Sequence, residues 1–147
     1  KTAQYNAPAK DYAVIIDFSR SLLSRRLYLV DLKEDRIVLR SRVSHAFRSG
    51  WLYANEFSNV SGSKKSCSGA FITENPYTGK FGFSMVIRGE DKGINDHTKG
   101  RSIVFHPMKK YFPWSDGCFA TPPAVNHFLI NKIAGGRLVY VMPSSGG

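Results

Sequence analysis

The chain lacks the ingredients of several familiar mechanisms. Its two cysteines and four histidines are scattered over 147 residues, so no zinc-type ligand spacing is present. No apolar run approaches the length of a membrane-crossing helix, and the opening Lys1-Thr2-Ala3-Gln4-Tyr5 lacks the charged-then-apolar pattern of a signal peptide. The missing initiator methionine points to a processed or trimmed precursor, which is compatible with secretion. There is no internal repeat and no low-complexity block, which excludes solenoid and array architectures. Acidic residues are few, 11 against 21 lysines and arginines. The resulting formal net charge of +10 suits a polyanionic partner such as nucleic acid, bacterial cell wall or an anionic membrane face, or simply a basic surface soluble near acidic polymers. The basic residues are dispersed, from Arg20, Arg25 and Arg26 through Arg36, Arg40, Arg42 and Arg48 to Lys64, Lys65, Lys109 and Lys110, as on a solvated surface.

What is present suits one domain with one core: 147 residues at 42% hydrophobic content. Residues 1–11 read as a flexible leader and 12–147 as the folded domain. Strands are expected at Tyr12–Phe18, Leu27–Asp31, Ile37–Val43, Ala70–Thr73 and Phe81–Ile87. Lys33-Glu34-Asp35-Arg36 makes a hairpin turn, and Asn75-Pro76-Tyr77-Thr78-Gly79-Lys80 reads as another turn. Gly50 to Ser63 is a long irregular connection. One helix begins after Thr121 as N-cap, with Val125, Phe128, Leu129 and Ile133 on its inner face and Gly135-Gly136 as its stop, before a last strand, Leu138–Met142. Phe71, Phe81, Phe83 and Phe105 read as core aromatics.

The chemistry concentrates in two segments. Ser102-Ile103-Val104-Phe105-His106 reads as a buried strand, opened by Arg101, that delivers an imidazole at its end, and Ser115-Asp116-Gly117-Cys118-Phe119 places a thiol after a glycine turn. Imidazole can take the thiol proton and the thiolate is the reactive nucleophile, so the pair points to cysteine acyl transfer. The glycine permits a tight turn in which consecutive amides could face an oxyanion. Cys67 is either a bystander thiol or a disulfide partner of Cys118. His45 reads as a hydrogen-bonded structural histidine, and His97 and His127 as solvent-facing.

These segments, with Arg26-Leu27-Tyr28-Leu29-Val30-Asp31-Leu32, Val43-Ser44-His45-Ala46, Phe57-Ser58-Asn59, Gly62-Ser63-Lys64-Lys65-Ser66 into Gly69-Ala70-Phe71, Pro76 to Lys80, Arg88-Gly89 and Lys92 to Asp96, make an ordered set from Tyr12 to Pro143. The set resembles the L,D-transpeptidase (YkuD-like) family, in its murein L,D-transpeptidase catalytic-domain branch. The resemblance implies a mostly β fold, an L,D-transpeptidase-like β-sandwich or barrel with one main helix after the cysteine loop. It implies a cofactor- and metal-free enzyme of the bacterial cell envelope, periplasmic or secreted, that acts as a monomer on peptidoglycan stem peptides through a thioester, without a membrane span and without nucleic acid. Cys118 would be the nucleophile and His106 the base. The amides of Gly117 and Cys118 would be oxyanion donors, with Ser115 shaping the loop and Arg88, Asn95 and Arg101 binding or orienting the donor. Water in place of the acceptor amine would make the same site an L,D-carboxypeptidase, and a degenerate site would leave a noncatalytic module binding cell wall or nucleic acid. The chain departs from the family pattern at Pro107 after the histidine, at Asp116, and in a short stretch between His106 and Cys118; Asp116 would oppose thiol ionisation.

Overall fold

Eight strands form one continuous sheet in a computed structural model that describes residues 7–109 and 114–143. Lys110 and most of the leader lie outside the described residues. The strands are β1 (Tyr12–Asp17), β2 (Leu27–Asp31), β3 (Arg36–Ser41), β4 (Gly69–Gly79), β5 (Gly82–Gly89), β6 (Val104–Pro107), β7 (Phe119–Thr121) and β8 (Leu138–Met142), with helix α1 (Pro123–Ile133) between the last two. Their order across the sheet is β3-β2-β1-β8-β4-β5-β6-β7. The expected mostly β architecture with one helix is what the chain adopts, as a single curled half-barrel.

The curl follows from one connection. Ser44 stands three residues past the end of β3, yet its amide donates to the carbonyl of Ala120 in β7 at 2.9 Å. Three extended residues reach only about 10 Å, so the two margins of the sheet must come close to each other. Inside the curve, Val14, Ile16, Leu27, Leu29, Phe71, Met85, Phe105, Phe119, Val139 and Val141 form the main core with Leu129, Ile130 and Ile133 of α1. Alternation sends Ala13, Ala70, Ile72 and Leu138 to the outer face of the central strands, where Ala7 covers them. Residues 7–11 thus pack on the body: Ala9 donates its amide to Gly136 at 3.1 Å, and Asp11 takes a two-pronged contact from Arg137 at 2.9 Å on each oxygen.

Three expected elements differ and one is added. β4 continues through Asn75-Pro76 to Gly79, because a register shift between Thr73 and Pro76 absorbs the proline. β6 opens at Val104, since Arg101 and Ser102 lie in a turn where Ser102 has φ 58°. β7 is an additional strand between the glycine turn and Pro122. It incorporates Thr121, whose carbonyl accepts the Met108 amide at 2.7 Å, so Pro122 and not Thr121 is the N-cap of α1. The inner face of α1 is Asn126, Leu129, Ile130 and Ile133, rotated from the expected stripe, with Val125 half-buried and Phe128 exposed. The Asn126 amide nitrogen bonds the Phe83 carbonyl at 2.8 Å, which fixes that rotation.

Candidate active site

β6 and β7 run parallel with Phe105 opposite Phe119 and His106 opposite Ala120. Both phenylalanines are fully buried, with ring centroids 5.3 Å apart. Side chains alternate along a strand, so the residue after Phe105 and the residue before Phe119 turn to the other face. Those residues are His106 and Cys118. Both line one cleft of about 240 Å³ with Phe81, Arg101, Ser102, Lys109, Trp114, Ser115 and Asp116.

The loop carrying the thiol is held by two serines acting alike. Ser115 Oγ accepts the Gly117 amide at 3.1 Å and donates to the Cys118 carbonyl at 2.6 Å. Ser44 Oγ accepts the Ala120 amide at 2.9 Å and donates to the same carbonyl at 3.3 Å. Gly117 has φ 125°, and a Cβ there would sit 3.3 Å from the Lys65 carbonyl and Ile103 Cδ1, so the turn requires glycine. The loop also bridges to Ala46, with the Ser115 amide on the His45 carbonyl and the Phe47 amide on the Ser115 carbonyl, each at 3.0 Å. The Gly117 amide, expected to face an oxyanion, is therefore committed to Ser115.

Cys118 Sγ receives the Val104 amide at 3.4 Å and points its proton toward the Ser102 carbonyl at 3.5 Å. Burial and then Asp116 push its pKa above the ordinary value, against the Val104 amide and Arg101. His106 Nδ1 lies 2.8 Å from the Pro107 carbonyl. A carbonyl can only accept, so Nδ1 carries the proton and Nε2 keeps the basic lone pair. Burial and Lys109 lower the His106 pKa. Phe81 stacks on this ring at 4.8 Å and 23°, with Lys80 and Lys109 ammonium groups 5.0 and 5.8 Å from the phenylalanine centroid. Phe81 is thus a cleft residue, 42% exposed, and not the core aromatic its strand context suggested.

The sequence profile of the L,D-transpeptidase catalytic domain matches residues 1–142. The chain belongs to the L,D-transpeptidase catalytic-domain family. No curated protein sequence matches it. Solved structures that it resembles include an L,D-transpeptidase of Stackebrandtia nassauensis, at 15% identity and TM-score 0.57, covering 100% of this chain and 63% of that one. Another is the helical cell shape determining protein of Campylobacter jejuni, at 9% identity and TM-score 0.66, covering 95% and 50%. An Enterococcus faecium L,D-transpeptidase mutant gives 15% identity and TM-score 0.54, covering 90% and 50%. These are likenesses of fold, and the chain spans about half to two thirds of the length of those proteins.

Within this L,D-transpeptidase domain the remaining expected site residues separate. Arg101 lines the cleft and also clamps the preceding loop through the carbonyls of Ser58 at 2.7 Å and Lys65 at 2.6 Å. Arg88 does not line it: it is exposed and paired with Glu90 at 2.8 Å and Glu74 at 3.0 Å. Asn95 is fully buried as a strut, donating to the carbonyls of Ser68 and Ala70 and accepting the Asp91 amide, at 2.8 to 2.9 Å. Both of its side-chain N–H donors are spent on backbone carbonyls, so neither is left to donate to a substrate. Cys67 and Cys118 are both free thiols, and burial pushes Cys67 up to about 11. His97 and His127 are exposed. Among the described residues no group of acids, histidines and cysteines is arranged to hold a metal, and no helix is long and apolar enough to cross a membrane.

Sequence reasoning missed Ser44, Lys109, Trp114 and the support under His45. Arg26 is fully buried, donating to the Val43 carbonyl at 2.7 and 3.2 Å, to Arg20 at 3.0 Å and to His45 Nδ1 at 2.9 Å, and lies 4.6 Å from the Phe18 centroid. His45 Nε2 then donates to the Gly50 carbonyl at 2.9 Å. The sequence sign of this arrangement is an arginine pair, Arg25-Arg26, set between polar Ser24 and an apolar strand.

Proposed function

We propose that this domain is a cysteine acyl transferase, an L,D-transpeptidase acting on peptidoglycan stem peptides in the bacterial cell envelope. The observation that supports the reading is the common face of Cys118 and His106, set by the Phe105–Phe119 register and opening into one cleft. The pKa directions describe a resting thiol beside a neutral imidazole, so the proton moves as the sulfur attacks.

In the proposed reaction, His106 Nε2 takes the Sγ proton while Sγ bonds to the carbonyl carbon of the donor amide. The electron pair of the C=O bond moves to oxygen, and the Cys118 amide, bonded to no group among the described residues, donates to that oxyanion. Collapse breaks the C–N bond, and the imidazolium returns its proton to the leaving amine, leaving a thioester. An acceptor amine then attacks the same carbon and passes a proton to His106, the C–S bond breaks, and the thiol is restored. Arg101 and Lys109 give the cleft a cationic rim for the carboxylates of the stem.

The test is mass spectrometry of tetrapeptide muropeptides incubated with the purified domain and an amine acceptor. A covalent adduct on Cys118 and a crosslinked product are expected. Cys118→Ala abolishes both, and His106→Gln lowers turnover by roughly a thousandfold or more. Unchanged muropeptides with the wild-type domain would overturn the reading.

A further inference from the structure

Beside the cleft stands an aromatic surface that the acyl-transfer chemistry does not use. The rings of Phe47, Trp51 and Trp114 meet one another at centroid distances of 5.7 Å for Phe47–Trp51, 5.3 Å for Phe47–Trp114 and 4.8 Å for Trp51–Trp114. Phe47 is 46% and Trp51 66% exposed, and Leu52 and Tyr53, which follow Trp51 in the chain, are exposed as well. Clustered aromatic surface of this kind marks a binding face more often than scattered apolar residues do.

Its position ties it to the nucleophile. Trp114 is both a member of the cluster and part of the wall of the Cys118 cleft. Its indole nitrogen donates to the Trp51 carbonyl at 2.8 Å, and the Phe47 amide donates to the carbonyl of Ser115, in the loop that carries Cys118. The cluster is therefore continuous with the cleft and anchored by backbone bonds to the cysteine loop. A molecule whose acyl group reaches Cys118 can rest its adjoining part on these rings.

We propose that Phe47, Trp51 and Trp114 form a platform for the amino-sugar strand that carries the stem peptide. The inference rests on the acyl-transfer reading above. Stem peptides offer small side chains and carboxylates, which suit the Arg101 and Lys109 rim and give an aromatic surface nothing large to hold. Pyranose rings present a flat face of C–H bonds that packs on an aromatic face while the hydroxyls remain in water. The domain then prefers stems attached to sugar over free stems, and binding on the platform brings the scissile amide to the sulfur.

Calorimetric titration with glycan strands stripped of their stems by an amidase tests the platform without requiring turnover. Saturable binding is expected with wild-type protein, roughly tenfold weaker with Trp51→Ala and restored by Trp51→Tyr. In parallel, the ratio of kcat/KM for sugar-linked over sugar-free stems should fall by a similar factor in Trp51→Ala. The alkylation rate of Cys118 in each variant checks that the loop is intact, and Phe47→Leu is a second variant of the same surface. Stem-free glycan that fails to bind wild type, or that binds Trp51→Ala as tightly, overturns the platform. So does a concentration-dependent dimer that Trp51→Ala disrupts, which would assign the surface to a second copy. Sugar binding without product from any muropeptide would sink the acyl-transfer reading alone.

Discussion

At the thiol, burial and one carboxylate together oppose ionisation. Burial comes first in raising the Cys118 pKa, and the carboxylate of Asp116 adds to it. Replacing Asp116 with Asn removes the charge while keeping the shape. The midpoint of Cys118 alkylation by iodoacetamide should move to lower pH, and the rate at pH 8 should rise by roughly two- to fivefold. An unmoved midpoint would show that burial alone sets the value. Cys67, pushed up to about 11 by burial, should lag behind in both proteins. His45 carries a different pH signature. Burial and the Arg26 cation lower its pKa from 6.5 to about 4, so it is neutral in the native state. The unfolded chain takes up a proton below 6.5 that the folded chain refuses until about 4. His45 therefore contributes stability that is fully present above pH 6.5 and is lost as pH falls toward 4, up to about 3 kcal/mol. Urea melts at pH 7, 5 and 4 should reveal that slope, and His45→Gln should flatten part of it; an identical slope in the variant would refute the assignment.

Among the elements, the start of β1 is fastened in part by an ion pair of good geometry. Arg137 grips both oxygens of Asp11 and also donates to the Ala134 carbonyl at 2.7 Å, joining the strand to the end of α1. The Arg137 side chain is the chief cause of the Asp11 pKa falling from 3.8 to about 2. The depressed value means stability present above pH 3.8 and lost as pH falls through about 2. Because the Asp11 side chain is 31% exposed, solvent screening limits the contribution to about 1 kcal/mol. Asp11→Asn should lower the unfolding free energy by about that amount at pH 7 and by nothing below pH 2, as thermal melts at the two pH values would record. β1, β2 and β8 were legible in the sequence because each is an apolar run with polar or glycine borders. The far half of β4 is hidden in the sequence because Asn75-Pro76 signals a turn locally, and only its pairing with β5 reveals a strand that bulges and continues. β7 is not legible locally, because the three residues before Pro122 carry no period of their own and their pairing partner lies in β6.

For the whole molecule, the candidate-site residues that the sequence makes legible are the reactive side chains. Cys118 after glycine and His106 at a strand end advertise their chemistry, and the parallel register then brings them to one face. Arg88 and Asn95 are less legible, because a polar residue's sequence neighbours do not tell what its side chain bonds, here Glu74 and Glu90 for Arg88 and backbone carbonyls for Asn95. The buried Arg26 fork and the aromatic surface depend on the crossing from β3 to β7, which no local pattern encodes. That crossing also has a consequence for self-association. Ser44 occupies the outer flank of β7, so no bare ladder is offered there for another chain to extend. The opposite margin, β3, has exposed Arg36 and Arg40 and a register shift against β2 between Leu29 and Val30. Charge repulsion and a kinked ladder guard the margin that remains, so fibril-like stacking is discouraged on both borders of the sheet.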